Sequence, residues 1–129
     1  MPPSMKITQV DTVHAAAYPN ILWVQIHTDN GLVGLGETFR GAQAVQAQIH
    51  ELVAPYLLGK DPLAIEAHSQ HLLYGYIGFA SSGAETRPAS AVDIALWDLF
   101  GQVCNQRVHQ MLGGLCREKQ RIYNTCAGY

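Results

Sequence analysis

Two carboxylates, Asp93 and Asp98, stand five residues apart in SAVDIALWDLFGQ, residues 90 to 102, among small and apolar side chains. Paired carboxylates can divide acid and base work over one substrate. On a helix, however, they lie about 140° apart around the axis at roughly 100° per residue, so they cannot face a single ligand. The spacing favours support. Asp93 is expected to hydrogen-bond a neighbouring element, because buried carboxylates persist when paired, and Asp98 to lie at the rim. His68 and His71, three apart, could share a metal, but no third ligand stands at a recognised spacing, so they read as an exposed pair. Glu37 in GLGET ends a strand and reads as structural. The glycines at 75, 78 and 83 lack the Gly-Lys-Ser/Thr ending of a phosphate loop.

These residues must be held by elements that the hydrophobic pattern predicts. Lys6–His14 and Ile21–Thr28 are rich in Val, Ile, Thr and Trp, with Leu22, Val24 and Ile26 on one face, and predict two strands. Asn30-Gly31 between apolar runs predicts a tight hairpin to a third strand, both turn residues taking positive φ. Beyond Gly41, Val45, Ile49, Leu52, Val53 and Tyr56 form a helical stripe, with Pro55 expected to end it. Asp61 as N-cap and Pro62 at the first turn predict a second helix through Tyr74. Thr86 is the expected cap of a third helix, buried along Ala91 or Val92, Ala95, Leu99 and Val103 and widened by Leu96 and Trp97. MLGG at 111–114 stops the following segment, and KQRIYNTCAGY predicts a last strand. That strand needs a partner, either in the first sheet or in chain that follows.

Composition narrows the function. A chain of 129 residues with net charge -2 has no basic stripe for nucleic acid. Cys104, Cys116 and Cys126, odd in number and widely spaced, fit a reducing cytoplasm rather than a disulfide framework. The start, MPPSMKITQV, lacks the apolar core of a signal peptide, and no run approaches the roughly 18 apolar residues of a membrane span. The expectation is a soluble, cytoplasmic protein with neither nucleic-acid nor membrane partners.

The segment RPASAVDIALWDLFGQVCNQRVHQMLGG resembles the signature of the mandelate racemase and muconate lactonizing enzyme group of the enolase superfamily. Ser90, Ala91, Val92, Asp93, Ala95, Leu96, Asp98, Leu99, Gly101, Leu112 and Gly113 carry the likeness, and the order of strands, NGLVGLGE hairpin and helices agrees along the chain. Asn105 and Arg107 stand where Gly and Pro are usual, Met111 for Leu and Pro88 for a small residue; these are expected to alter local packing only. The loop AAYPNI is shorter than the long lid of mandelate racemase, which argues against small aromatic acids as substrates.

The resemblance implies an α+β capping domain at 1–115, an antiparallel three-stranded sheet followed by a helical bundle, with 116–129 opening a C-terminal (β/α) barrel. It implies proton abstraction α to a carboxylate, Mg²⁺ and neighbouring cations stabilising the enediolate. Bases and metal ligands would lie on later barrel strands, leaving no catalytic or metal residue in this segment and making it inactive alone. The share of this chain would be the lid: Tyr18, Pro19 and Asn20 in the first loop, Thr38, Phe39 and Arg40 after the third strand, and Thr125 on the first barrel strand, with Asn124 on its other side. A sugar-acid dehydratase is favoured over a racemase, epimerase or cycloisomerase of the group, or a non-catalytic interaction module. The implied partners are a small carboxylate, the chain's own barrel and further copies in a homo-oligomer.

Overall fold

Strand β2 (Ile21–Thr28) forms the spine of the fold. In the computed structural model, which describes residues 5–74 and 85–123, its Leu22, Val24 and Ile26 are fully buried while Ile21, Trp23, Gln25 and His27 alternate onto a half-covered face. Strands β1 (Ile7–Val13) and β3 (Val33–Phe39) pair antiparallel on either side, in the order β1-β2-β3. A register shift between Ile7 and Gln9 places both Ile7 and Val10 inward although they are three apart, as an inserted bulge residue does.

The β2–β3 hairpin differs from the expected two-residue turn. Gly31 has φ 84°, whereas Asn30 keeps negative φ. The Gly31 N–H donates to Thr28 O at 3.1 Å, and the Thr28 N–H to Leu32 O at 3.0 Å, leaving a three-residue loop that ends on a left-handed glycine. Asn30 contributes its side chain instead: Oδ1 lies 2.6 Å from Thr28 Oγ1 and accepts from the Leu32 N–H at 3.3 Å.

Helix α1 (Ala42–Gln48), a π-helical turn (Ile49–Val53) and α2 (Ala54–Leu57) run on without a break. Pro55 therefore does not end the helix as expected. It lacks the N–H that would reach back one turn and its ring would crowd the Glu51 carbonyl; the wider turn ahead of it absorbs both, the Ala54 N–H reaching Ile49 O. The change of pitch also alters the stripe. Val45, Ile49 and Val53 are buried as expected, Leu57 joins them, and Leu52 turns out to 48% exposure.

Helix α3 (Ile65–Tyr74) starts later than its sequence signals. Asp61 Oδ1 accepts the Leu63 N–H at 2.9 Å, so Asp61-Pro62 makes a side-chain-closed turn before the helix rather than its cap. Helix α4 (Thr86–Cys104) buries Ala91, Val92, Ala95, Leu96 and Leu99. Its N-cap position is held by Glu85 rather than Thr86, and Val103 is exposed rather than buried. The departures from the family pattern are absorbed locally: Pro88 sits in the first turn, and Asn105 takes φ 50° at the C-cap, a left-handed position that asparagine tolerates. Helix α5 (Val108–Met111) follows, and Gly113 and Gly114 at positive φ end it.

The helices cover one face of the sheet, and β3 lets α4 come unusually close. Gly34 and Gly36 both face it; a Cβ on Gly34 would meet the Ala95 carbonyl and lie 2.6 Å from Leu99 Cγ, and one on Gly36 would strike the Ala91 carbonyl. The glycines of the NGLVGLGE stretch thus serve packing as much as turning. Of the expected last strand, residues 119–123 belong to no strand and 124–129 lie outside the described residues, as does 75–84 with its three glycines.

Candidate functional site

The two aspartates have roles opposite to those expected. Asp98 reaches the neighbouring element: its Oδ2 accepts the Leu35 N–H of β3 at 2.9 Å. Gln102, one turn on, donates from Nε2 to Val33 O at 2.8 Å and to Asp98 Oδ2 at 3.1 Å. Both side chains cap the outer edge of β3, satisfying backbone groups that no strand pairs. Asp93 has no hydrogen-bond partner among the described residues, and burial, with a smaller contribution from the nearby Glu66 carboxylate, raises its pKa above the ordinary aspartate value. The reversal follows from the helix: residue 98, not 93, lies on the flank of α4 that passes β3.

The histidine pair also divides. His71 is exposed and stacks on Tyr56, with ring centroids 3.7 Å apart and planes 5° apart. His68 is only 3% exposed, held between the Tyr56 hydroxyl at 3.1 Å from Nδ1 and the Asp61 carbonyl at 2.8 Å from Nε2. A carbonyl can only accept, so Nε2 carries the proton and Nδ1 accepts from the tyrosine. His68 is thus a buried strut joining α3 to the preceding turn rather than part of an exposed pair. Burial raises the pKa of the Tyr56 hydroxyl, which keeps it a donor. Among the described residues no three His, Cys, Asp or Glu side chains converge where a metal ion could sit, so these residues do not fit Mg²⁺.

The six described lid candidates come together at one end of the sheet. The cross-strand pairs Ile21↔Phe39 and Leu22↔Thr38 bring the β1–β2 loop beside the end of β3. The Arg40 N–H then donates to the Asn20 carbonyl at 2.6 Å, tying the two segments directly. The β1–β2 loop is folded on itself: the Tyr18 N–H donates to Ala15 O at 2.9 Å, the Ile21 N–H to Tyr18 O at 3.0 Å, and His14 Nε2 lies 3.0 Å from Pro19 O. Arg40 at φ 72° and Gly41 at φ 73° are both left-handed, a sharp corner between β3 and α1.

Alternation divides these side chains between faces. Thr38 lies on the helix side, beside an open cleft of about 440 Å³ that Glu37, Phe39, Thr86, Arg87 and Ser90 also line. Phe39, 62% exposed, stands at the edge of that cleft. Tyr18, 57% exposed, meets the Trp23 ring edge-on at 6.1 Å. The Trp23 indole N–H donates to Glu37 Oε2 at 2.9 Å across the strands, which gives Glu37 a structural task. A second cleft of about 440 Å³ is lined by Asn20, Pro19, His14 and the start of α1. Arg40 is exposed at the corner. Thr125 and Asn124 lie outside the described residues.

One residue at this end carried no signal in the chain's own pattern. Arg87, in the first turn of α4, donates from Nη1 to the Phe39 carbonyl at 2.7 Å and sets its guanidinium 5.4 Å from the centre of the Phe39 ring. Forty-eight residues separate the two, and only the antiparallel passage of α4 over β3 brings them together.

Residues 2–113 match the family described as Mandelate racemase / muconate lactonizing enzyme, N-terminal domain. The D-galactonate dehydratase of Verminephrobacter eiseniae is 43% identical over 127 residues, covering 96% of this chain and 32% of that protein. That of Xanthomonas euvesicatoria is 41% identical with the same coverage. Among solved structures, an enolase from environmental sequencing of the Sargasso Sea has a TM-score of 0.82 at 50% identity, over 88% of this chain and 31% of that one. An enolase from Pantoea ananatis with bound D-gluconate and Mg has a TM-score of 0.78 at 37% identity, over 88% and 28%. The chain spans about a third of the length of the curated relatives it matches. With its sheet, its helices and its signature helix all accounted for, the chain belongs to the N-terminal domain family of mandelate racemase and muconate lactonizing enzyme.

Proposed function

We propose that this chain is the lid portion of an enolase-superfamily enzyme that dehydrates a sugar acid. The observation that carries the reading is the junction of the two lid segments through the Arg40 N–H and the Asn20 carbonyl at 2.6 Å, which sets Tyr18, Asn20, Thr38, Phe39 and Arg40 around one end of the sheet. Hydroxyls and a cation at such a rim suit a polyhydroxylated carboxylate: Asn20 and Thr38 can exchange hydrogen bonds with substrate hydroxyls, and Arg40 can meet an oxygen-rich distal end. Phe39 and Tyr18 exclude water from the space they cover. The names of the relatives support a hexonate, since D-galactonate and D-gluconate are the sugar acids they carry.

The proton is removed from the carbon next to the carboxylate by groups outside the described residues, and the hydroxyl on the next carbon leaves. Mg²⁺ belongs to this reading through the family, held by acidic residues on the C-terminal barrel rather than by the lid. Thr125 would add a hydroxyl from the first barrel strand. The domain division near 115, a cytoplasmic location and a homo-oligomeric assembly complete the proposal. No helix among the described residues is long and apolar enough to cross a membrane.

The test is to assay the full-length protein, and residues 1–129 alone, against D-galactonate, D-gluconate and a panel of other hexonates, with Mg²⁺ and with chelator. Formation of a 2-keto-3-deoxy acid by the full-length protein only, abolished by chelation and restored by Mg²⁺, is the expected result. Turnover by the isolated segment, or racemisation without loss of water, would overturn it.

A further inference from the structure

We infer that Arg87 is a positioning residue for the lid: its guanidinium fixes the end of β3 so that Arg40 and Asn20 stand ready for substrate. This rests on the lid reading above and names the part that holds the lid in place. The segment from Phe39 to Gly41 has reason to move. It lies at the end of an edge strand, its tip carries two consecutive left-handed residues, and one of them, Arg40, has a Cβ that crowds its own backbone there. Such a corner persists only where its surroundings impose it.

Two contacts impose it. The Arg40 N–H bond to the Asn20 carbonyl holds the corner from the β1–β2 side. Arg87 holds it from the helix side, Nη1 on the Phe39 carbonyl at 2.7 Å and the flat guanidinium 5.4 Å from the ring centre of the same residue. One side chain thus fixes both the backbone and the ring immediately before the strained pair. Its base is firm, because the neighbouring Pro88 and Ala89 are buried in the first turn of α4. Lysine could supply the hydrogen bond but not a planar guanidinium beside the ring.

The corner offers its own probe, since trypsin cleaves after arginine and Arg40–Gly41 is an exposed bond. In the full-length protein, Arg87→Met is expected to speed cleavage at Arg40–Gly41 about tenfold, as local opening becomes easier, while the thermal midpoint stays put. Arg87→Lys should fall between Arg87→Met and the native protein. In turnover, Arg87→Met is expected to raise KM for D-galactonate or D-gluconate about tenfold with little change in kcat. KM for D-glycerate, too short to reach the rim, should not move. In an Arg40→Gly background the KM effect of Arg87→Met should vanish, because the group it positions is gone.

Unchanged cleavage and unchanged hexonate KM would overturn the inference, and so would an equal loss of kcat on both substrates with a lowered midpoint, which marks a general structural role. If the native protein dehydrates no hexonate, the lid reading fails for this substrate class, whereas the proteolysis result still judges whether Arg87 holds the corner.

Discussion

Gly36→Ala tests the close passage of α4 over β3, on which the end of the sheet carrying Phe39 and Arg40 depends. A Cβ at residue 36 would fall onto the Ala91 carbonyl, 2.9 Å from Ala91 C and 3.1 Å from Ala95 N, where ordinary Cβ contacts begin near 3.4 Å. All of these atoms are backbone. The Ala91 carbonyl cannot rotate away, because it accepts the hydrogen bond of the next helical turn, so the helix itself must shift by about 1 Å or more. Behind it Val92, Leu96 and Leu99 are already fully buried, which leaves little room to yield. Overpacking in cores costs roughly 1 to 3 kcal/mol, and a clash of backbone against backbone belongs at the upper end, about 3 kcal/mol. Gly31→Ala is the control: nothing lies within 4 Å, but φ is 84°, so only backbone strain of about 1 kcal/mol is expected. Urea unfolding followed by the fluorescence of Trp23 and Trp97 measures both. A cost for Gly36→Ala below about 0.5 kcal/mol, or no larger than that of Gly31→Ala, would refute the packing argument.

Three further outcomes are expected. Asp98→Ala should lower stability by about 1.5 kcal/mol, the worth of a hydrogen bond to a charged group, and expose the β3 edge; light scattering should detect association that the native chain resists. For Asp93, the raised folded pKa means that the native chain loses stability as pH rises through that value and regains it on acidification. Asp93→Asn should therefore be as stable as the native chain or more so at pH 7, with the difference closing towards the ordinary carboxylate range; melting curves across pH 4 to 7 decide, and a marked loss at pH 7 would show a partner that this account lacks. Arg40→Gly should raise stability by about 0.5 to 1 kcal/mol by relieving φ 72°, yet raise KM for hexonates; a variant both destabilised and fully active would contradict both roles given to Arg40.

Much of the architecture was legible in order. The alternation in ILWVQIHT specifies a half-buried strand, and the run of Ala, Val and Leu from 91 to 99 specifies a buried helix, because each pattern repeats at the period of its own backbone. Side-chain roles were less so. Asp93 and Asp98 look alike in composition and spacing, and only the direction in which α4 crosses the sheet decides that Asp98 meets Leu35 while Asp93 meets no partner among the described residues. His68 and His71 are separated in the same way, by the turn at Asp61 that buries one of them. The π-helical turn before Pro55 has no local code that distinguishes it from a helix end, and it moved Leu52 off the core.

By itself the sequence determined the three sheet strands, the order of the main helices and the family signature, since these follow from local periodicity, turn chemistry and residue identity, while the two segments at the rim were named through the family resemblance. Tertiary structure alone decided that Asn20 and Arg40 touch, that glycines 34 and 36 admit a helix at backbone distance, and that Arg87 closes on Phe39 across forty-eight residues. Those contacts join positions far apart in the chain, and their geometry is set by how the helices settle on the sheet, which no short stretch of residues encodes.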